Sequence, residues 1–468
     1  MKIKLLVILF ILNSALSSSN EIVMAESDFL LLVGKFHPVA KQAQLQIDIG
    51  RSNLLRAGGA FDPFISAQYS NKIYEDKSYY EIINSGLKIP IWFGPDINFG
   101  YEKSAGNYLN PERNLPNQGL LSAGIKMPLG QGLFIDNRRA AFRQAEIFGK
   151  LSEVEQVRIL ADLYFSAVSA YWDWSADYSI LKLSTEILSV ANERYEGIRQ
   201  SFFQGDIPAI DTVEAYLQIL NLDINLQSAR NEFVSSSLYL SNFLWNENMI
   251  PMEINDNLIP DTNSELTLRP VNEILPLTQN IDSLIAIHPE LQVYSLKLEE
   301  LAVERRLKLE YLKPKLDLKY DYLNNAGNVF PNEIFPDQNF KVELDFNMPV
   351  FLRQGRGELQ LTDIKIIEAE LQFEAKKLEL LNKVNSYLNE ISILYQQFSL
   401  FSQALENYRI LLEGEQIKFN AGESSLFLLN SRENSLLNAN IKQIELFTKI
   451  NTKIGALRWS LGTIGRVQ

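Results

Sequence analysis

After Pro314 the chain alternates in character: Leu316, Leu318, Tyr320 and Tyr322 fall on one side, Lys315, Asp317, Lys319 and Asp321 on the other. A period of two residues is that of a strand with one wet face. A second run repeats it, with Phe340, Val342, Leu344, Phe346 and Met348 opposing Lys341, Glu343, Asp345 and Asn347. The link from Asn324 to Asn339, holding Gly327, Pro331 and Pro336, predicts a hairpin. Earlier in the chain Ile65, Ala67 and Tyr69 keep the same register, and Leu121 to Met127 closes the region. Between them lie two more strand-like runs, about Tyr80–Ile91 and Asp96–Tyr101, broken by the turn signal Trp92-Phe93-Gly94-Pro95. They are read as an extra external hairpin or as additional strands. Such alternation suits a sandwich sheet as well as a lipid-facing barrel.

Around these runs the period changes to that of helices. Val384, Ile391, Phe398, Leu405 and Leu412 recur every seven positions, and Tyr387, Leu394, Phe401 and Tyr408 form a second seam three residues later. That heptad predicts a helix in a coiled-coil-like pair. A helix from about Gly357 to Phe419, roughly 63 residues, reaches about 95 Å at 1.5 Å per residue, and a shorter return helix follows over about Leu426–Leu461. The first half offers equivalents over about Asn137–Phe203 and Pro208–Trp245, and short helices precede each strand region near Val39–Arg56 and Glu290–Leu312.

The chain is thus written twice. His37-Pro38 recurs as His288-Pro289, and Pro63 and Tyr69 recur as Pro314 and Tyr320 at the same offset. Lys126-Met127-Pro128-Leu129 matches Asn347-Met348-Pro349-Val350, Phe203-Gln204-Gly205 matches Asn420-Ala421-Gly422, and Trp245 matches Trp459. Such ordered self-similarity marks duplication. The expected organisation is an export segment (1–25), a first repeat (26–245, strand region 64–128, helices 137–203 and 208–245), a loop-rich linker with four prolines (246–287), a second repeat (288–461, hairpin 315–349, helices 357–419 and 426–461) and a tail (462–468).

Lys2 and Lys4 before the apolar run Leu5–Leu12 read as an export signal, and cleavage after Ser17 or after Ala25 fits the small residues there. The run is far shorter than the ~20 residues of a spanning helix, and nothing later is long and apolar enough, so a membrane would be crossed by strands. The absence of Cys excludes disulfides and thiolate chemistry. A net charge of −13 argues against nucleic acid as a partner.

Candidate chemistry is sparse, and no enzyme, cofactor or metal site is expected. His37 and His288 each precede Pro at equivalent positions, which favours a helix start over metal ligation. Gly130-Gln131-Gly132 and Arg353-Gln354-Gly355-Arg356-Gly357 sit between strand and helix but lack the Gly-Lys-Ser/Thr ending of a phosphate loop; they are read as bends. Tyr79, Tyr80, Trp92 and Tyr108 are candidates for an interfacial aromatic girdle. Gly205 and Gly422 stand where the long helices must reverse.

A signal segment followed by a duplicated unit of short helix, β-hairpin, long helix, glycine turn and return helix resembles the TolC-like outer-membrane efflux family over nearly all of the mature chain. The resemblance implies an α+β membrane protein: a homotrimer whose copies each give four strands to one twelve-stranded outer-membrane barrel, continuous with a periplasmic α-helical tunnel. It implies a passive conduit served by a periplasmic adaptor and an inner-membrane pump or ABC exporter, with outer-membrane lipid around the barrel. Carried over, the periplasmic tip comprises Gly205, Asp206, Ile207 and Pro208 with Gly422, Glu423, Ser424 and Ser425. Family tunnels narrow at acidic residues six and nine positions after the second glycine; here those positions hold Leu428 and Ser431, while the same spacing in the first copy gives Asp211 and Glu214. The competing expectation, from another class, is a secreted coiled-coil adhesin or surface fibre.

Overall fold

The computed structural model describes residues 22–254, 257–261, 281–327 and 339–465. The apolar run of the export signal, the central part of the linker (262–280), most of the link in the second hairpin (328–338) and the last three residues lie outside them. The described chain runs β1 (Ile22–Met24), α1 (Glu26–Phe36), α2 (Pro38–Gly58), β2 (Phe64–Tyr74), β3 (Lys77–Pro90), β4 (Asp96–Ala105), β5 (Leu120–Pro128), α3 (Asn137–Gln204), α4 (Ala209–Ser241), β6 (Leu258–Pro260), α5 (Ile281–Ala286), α6 (Pro289–Glu310), β7 (Lys315–Asn325), β8 (Phe340–Asn347), α7 (Arg353–Asn420) and α8 (Leu426–Ser460). Both long helices, α3 and α7, have 68 residues.

Two compact units form, and they do not follow the repeats: each draws on both halves of the sequence. One holds the described residues of 1–43, 158–288 and 379–468, the other those of 44–157 and 289–378.

The long described elements of the first unit are helices, accompanied by the short parallel pair β1–β6. Its largest core gathers Phe29, Val33, Leu163, Ala167, Tyr171, Trp174, Leu240 and Leu244. Tyr171 donates its hydroxyl to the Met24 carbonyl (2.9 Å), and the Trp174 indole donates to Ser237 (3.1 Å), so both aromatic polar ends are satisfied on burial. The first heptad seam of α7 is the buried one, with Val384, Ile391, Phe398 and Leu405 all inside.

The second unit contains a single six-stranded antiparallel sheet in the order β2-β3-β4-β5-β7-β8. Both strand-like runs between β2 and β5 are therefore strands of this sheet, which holds six strands where the resemblance implies four. One cause of that miscount is the β2–β3 turn, in which Glu75 and Asp76 both adopt positive φ (50° and 56°). Two such residues make the reversal a two-residue hairpin needs, without the glycine that usually announces it. Antiparallel α6 and α7 are joined by ion pairs Lys308–Glu358 (2.9 Å), Arg305–Asp363 (2.7 Å), Lys365–Glu304 (3.3 Å) and Lys376–Glu290 (2.7 Å).

Candidate conduit elements and helix-reversal tips

Register makes the sheet amphipathic across its full width. One face carries Ile65, Leu87, Phe99 and Ala123 in a row, because Ile65 pairs with Leu87, Leu87 with Phe99, and Phe99 with Ala123. The same face continues through Ile125, Tyr320 and Val342. It is bare: Ile65 is 83 % exposed, Phe346 67 % and Leu344 62 %. No second sheet among the described residues covers it, since the other sheet is the two-stranded pair of the first unit. A sandwich in water would bury such a face.

The opposite face is polar and internally paired. Asp96, Asp317 and Asp321 are each under 10 % exposed and meet lysines: Lys88–Asp96 (2.9 Å), Lys126–Asp317 (3.0 Å) and Lys319–Asp321 (2.9 Å). Asp321 lies over Gly124, where a Cβ would meet its carboxylate at 2.0 Å. The sheet is thus amphipathic, with a bare apolar face and a charged, internally paired one.

Where strands give way to α3, Asp136 is the organising anion. It accepts from the Arg139 backbone N–H (2.9 Å) and pairs with Arg138 and Arg139. Burial pushes its carboxyl upward, but the hydrogen bonds and the two guanidinium charges outweigh this and hold it below the ordinary carboxylate value. Arg138 also reaches Asp96 (2.8 Å), while Arg139 donates to the Phe93 and Leu133 carbonyls. The β3–β4 turn is thereby tied to the head of α3.

The two candidate bends differ. Gln131 N–H bonds the Pro314 carbonyl (2.8 Å) and Gly130 lies where a Cβ would strike that same oxygen, so this segment packs against the start of β7. The second lies inside a helix: α7 begins at Arg353, four residues before the expected Gly357. Leu352, at φ +49°, makes the break, and Arg356 N–H already bonds the Leu352 carbonyl.

Both histidines sit in the first unit beside the tryptophan that repeats with them. His37 caps α2, its Nδ1 accepting from Val39 N–H (3.1 Å), and its ring lies 6.3 Å from that of Trp245. The buried His288 precedes Pro289, and its ring lies 6.4 Å from that of Trp459. Among the described residues no cluster of three metal-ligating side chains exists.

At the reversals Gly205 and Gly422 have φ of +84° and +75°. Each closes its helix with the same two bonds: Gly205 N–H to Phe202 and Asp206 N–H to Ser201 in one, Gly422 N–H to Phe419 and Glu423 N–H to Lys418 in the other, all 2.9–3.0 Å. That pattern is the Schellman stop. A Cβ would meet nothing within 4 Å at either glycine, so backbone conformation alone asks for glycine there. Gly205, Asp206 and Pro208 are exposed and Ile207 is half-buried; Gly422, Glu423 and Ser425 are exposed and Ser424 is half-buried. Ser425 caps α8, accepting from Leu428 N–H (3.4 Å), and Ser424 donates to Glu415. Asp211 and Glu214 are half-buried on the first turns of α4, and Leu428 and Ser431 are exposed on the first turns of α8.

Near these ends lie polar ties that sequence spacing does not signal. Arg194 of α3 forms a two-pronged ion pair with Glu433 of α8, both side chains about 15 % exposed. Gln218 of α4 and Asn434 exchange hydrogen bonds in both directions (3.0 and 3.3 Å). An apolar stripe on α4, Ile210, Val213, Leu217, Leu220 and Ile224, is left exposed at heptad spacing.

Residues 280–463 match the family described as Outer membrane efflux protein. No curated protein matches the chain in sequence. The solved outer-membrane channel OprN is 12% identical, with 94% of this chain and 90% of that one covered and a TM-score of 0.64. The Campylobacter jejuni CmeC outer membrane channel gives 11%, 96%, 90% and 0.64. CusC, whose structures are described through folding and transmembrane channel formation, gives 12%, 96%, 95% and 0.66. Identities this low speak to fold. Residues 280–463 therefore carry the sequence signature of the outer membrane efflux protein family, and over nearly its whole length the chain has the α+β fold of TolC-like outer-membrane channels.

Proposed function

We propose that the chain is one subunit of a homotrimeric outer-membrane conduit that passively passes substrates delivered by a periplasmic adaptor and an inner-membrane pump or ABC exporter. One observation carries this reading: a sheet with a bare apolar face, a charge-lined opposite face and two edge strands, β2 and β8, that pair on one side only among the described residues. In lipid every backbone group must be satisfied, so open edges demand neighbouring copies. The exposed heptad stripe on α4 likewise calls for a partner helix. In this reading the helices extend into the periplasm, and the tips at Gly205-Asp206-Ile207-Pro208 and Gly422-Glu423-Ser424-Ser425 receive the adaptor. An adhesin would have no use for the amphipathic sheet.

The test is direct. The mature protein, recovered from an outer-membrane fraction, should migrate as an oligomer that heating converts to monomer, and should give discrete single-channel steps in planar bilayers. A mature chain found only as a soluble monomer would overturn the proposal.

A further inference from the structure

Resting on the trimeric conduit proposed above, we infer that all six strands of each copy enter the shared wall, so that three copies close an eighteen-stranded barrel in place of the twelve-stranded one the resemblance implies. The alternative places β3 and β4 outside the wall as an external flap, with β2 joined directly to β5.

Three observations favour the wall. β3 and β4 are paired in register on both sides, to β2 and β5 as well as to each other. Over the helix-side part of both strands the side chains keep the polarity of the sheet: Leu87, Ile97, Phe99 and Tyr101 lie on the apolar face, and Lys88, Asn98 and Glu102 on the polar one, whereas Glu81 and Lys103 enter the apolar face and Ile82 the polar one only toward the far end. Above all, their turn is at the helix-side end of the sheet. Arg138 holds the Gly94 carbonyl and Arg139 the Phe93 carbonyl, both from the first turn of α3. A flap projecting outside the membrane would not reach that end.

The dimensions agree. β4 has 10 residues and β3 has 14, against about 9–11 needed to cross a bilayer at a tilt of about 45°. Aromatic residues mark both ends of β3. Tyr79 meets Tyr74 edge-on (6.3 Å) and Tyr108 at a tilt (4.8 Å) at the far end, and Trp92 and Phe93 are exposed at the helix-side end. That spacing suits the two interfacial girdles of an outer-membrane barrel.

The occupant of the open edges is a second copy of this chain. An even number of strands leaves β8 antiparallel to the β2 of a neighbour, so the meander continues without a break. The helices joined to those edges are also uncovered: Leu45, Ile49 and Leu55 of α2, which leads into β2, and Leu361, Ile364, Leu371 and Leu378 of α7, which follows β8. Barrel diameter grows nearly linearly with strand number, so eighteen strands give a bore about half as wide again as twelve.

Because the chain has no Cys, paired cysteines test this in the intact protein in outer-membrane vesicles. Glu343→Cys on β8 combined with Ser66→Cys, Gln68→Cys or Ser70→Cys on β2 should, in at least one register, oxidise to covalent dimers and trimers. Within one chain, Gln68→Cys with its register partner Asn84→Cys should close. Ser66→Cys with Leu120→Cys, Ser122→Cys or Lys126→Cys should not, because the row Ser66, Gly86, Gly100, Ser122 separates β2 from β5 by three strand spacings, about 14 Å. Closure of a β2–β5 pair in place of the β2–β3 pair would overturn the eighteen-stranded wall while leaving the trimer standing. Failure of every β8–β2 pair to link copies would remove the trimeric conduit itself.

Discussion

His37 ties a proton to the start of a helix. Its ring must be neutral at Nδ1 to accept the Val39 N–H, and burial lowers its pKa from the ordinary 6.5, with a hydrogen bond to the Asn242 backbone pulling the other way. The folded state therefore binds this proton less readily than the unfolded chain. Stability contributed here is intact above the ordinary value and declines as pH falls below it, through the folded pKa. His37→Asn keeps a capping acceptor but does not titrate. Between about pH 7.5 and about pH 5 the thermal midpoint of the wild type should fall further than that of His37→Asn; parallel profiles would remove the assignment. The His-Pro pair was legible as a helix start because Pro fixes the first turn. Glu75-Asp76 is hard to read as a hairpin: Asp accepts the left-handed conformation, but Glu does not announce it, and the glycine that commonly follows is absent.

Among elements, the seven-residue seam of α7 announced a paired helix, and four of its five first-seam residues are buried. Local periodicity records such packing because every seam residue is helical neighbour to the next. Arg194–Glu433 and Gln218–Asn434 have no such trace: their partners lie on other helices, 239 and 216 residues away. Even so, the ion pair is the more costly to break. Both side chains are nearly covered, so Arg194→Met would leave Glu433 with an uncompensated, poorly solvated charge, at a cost of about 2–4 kcal/mol. Removing both charges with Arg194→Met and Glu433→Leu should restore stability to within about 1 kcal/mol of wild type. Thermal melts followed by helical circular dichroism decide this. Additive losses in the double variant would mean that the two residues act independently, against the paired geometry. The exposed stripes of α4 and the first part of α7 are a different matter. Their periodicity is as clear as that of the buried seam, yet sequence cannot say whether such a stripe meets its own chain or a neighbour.

For the whole molecule, the sheet was half legible. Alternation gave the strands and their faces, but could not separate sandwich from barrel, because both need one apolar face; the bare face and the absence of a covering sheet among the described residues favour the barrel. The aperture is the part least written in sequence. A constriction is made where copies converge on an axis, and no single chain contains that axis. In the proposed trimeric conduit the half-buried Asp211 and Glu214 of α4 would repeat around the axis as a ring of carboxylates, close to the tips and in a chain already at −13. Such a ring concentrates cations and repels anions. Replacing both residues, Asp211→Asn with Glu214→Gln, should leave the heat-modifiable oligomer intact. It should also reduce the preference for cations several-fold, read as a reversal potential moving toward zero across a salt gradient. Leu428→Ala, at an exposed position on the first turn of α8, serves as the uncharged comparison and should change conductance without moving that potential. If the double variant keeps the wild-type reversal potential, the two carboxylates belong to a solvated helix face, and the narrowest part of the channel must be sought elsewhere along the tunnel.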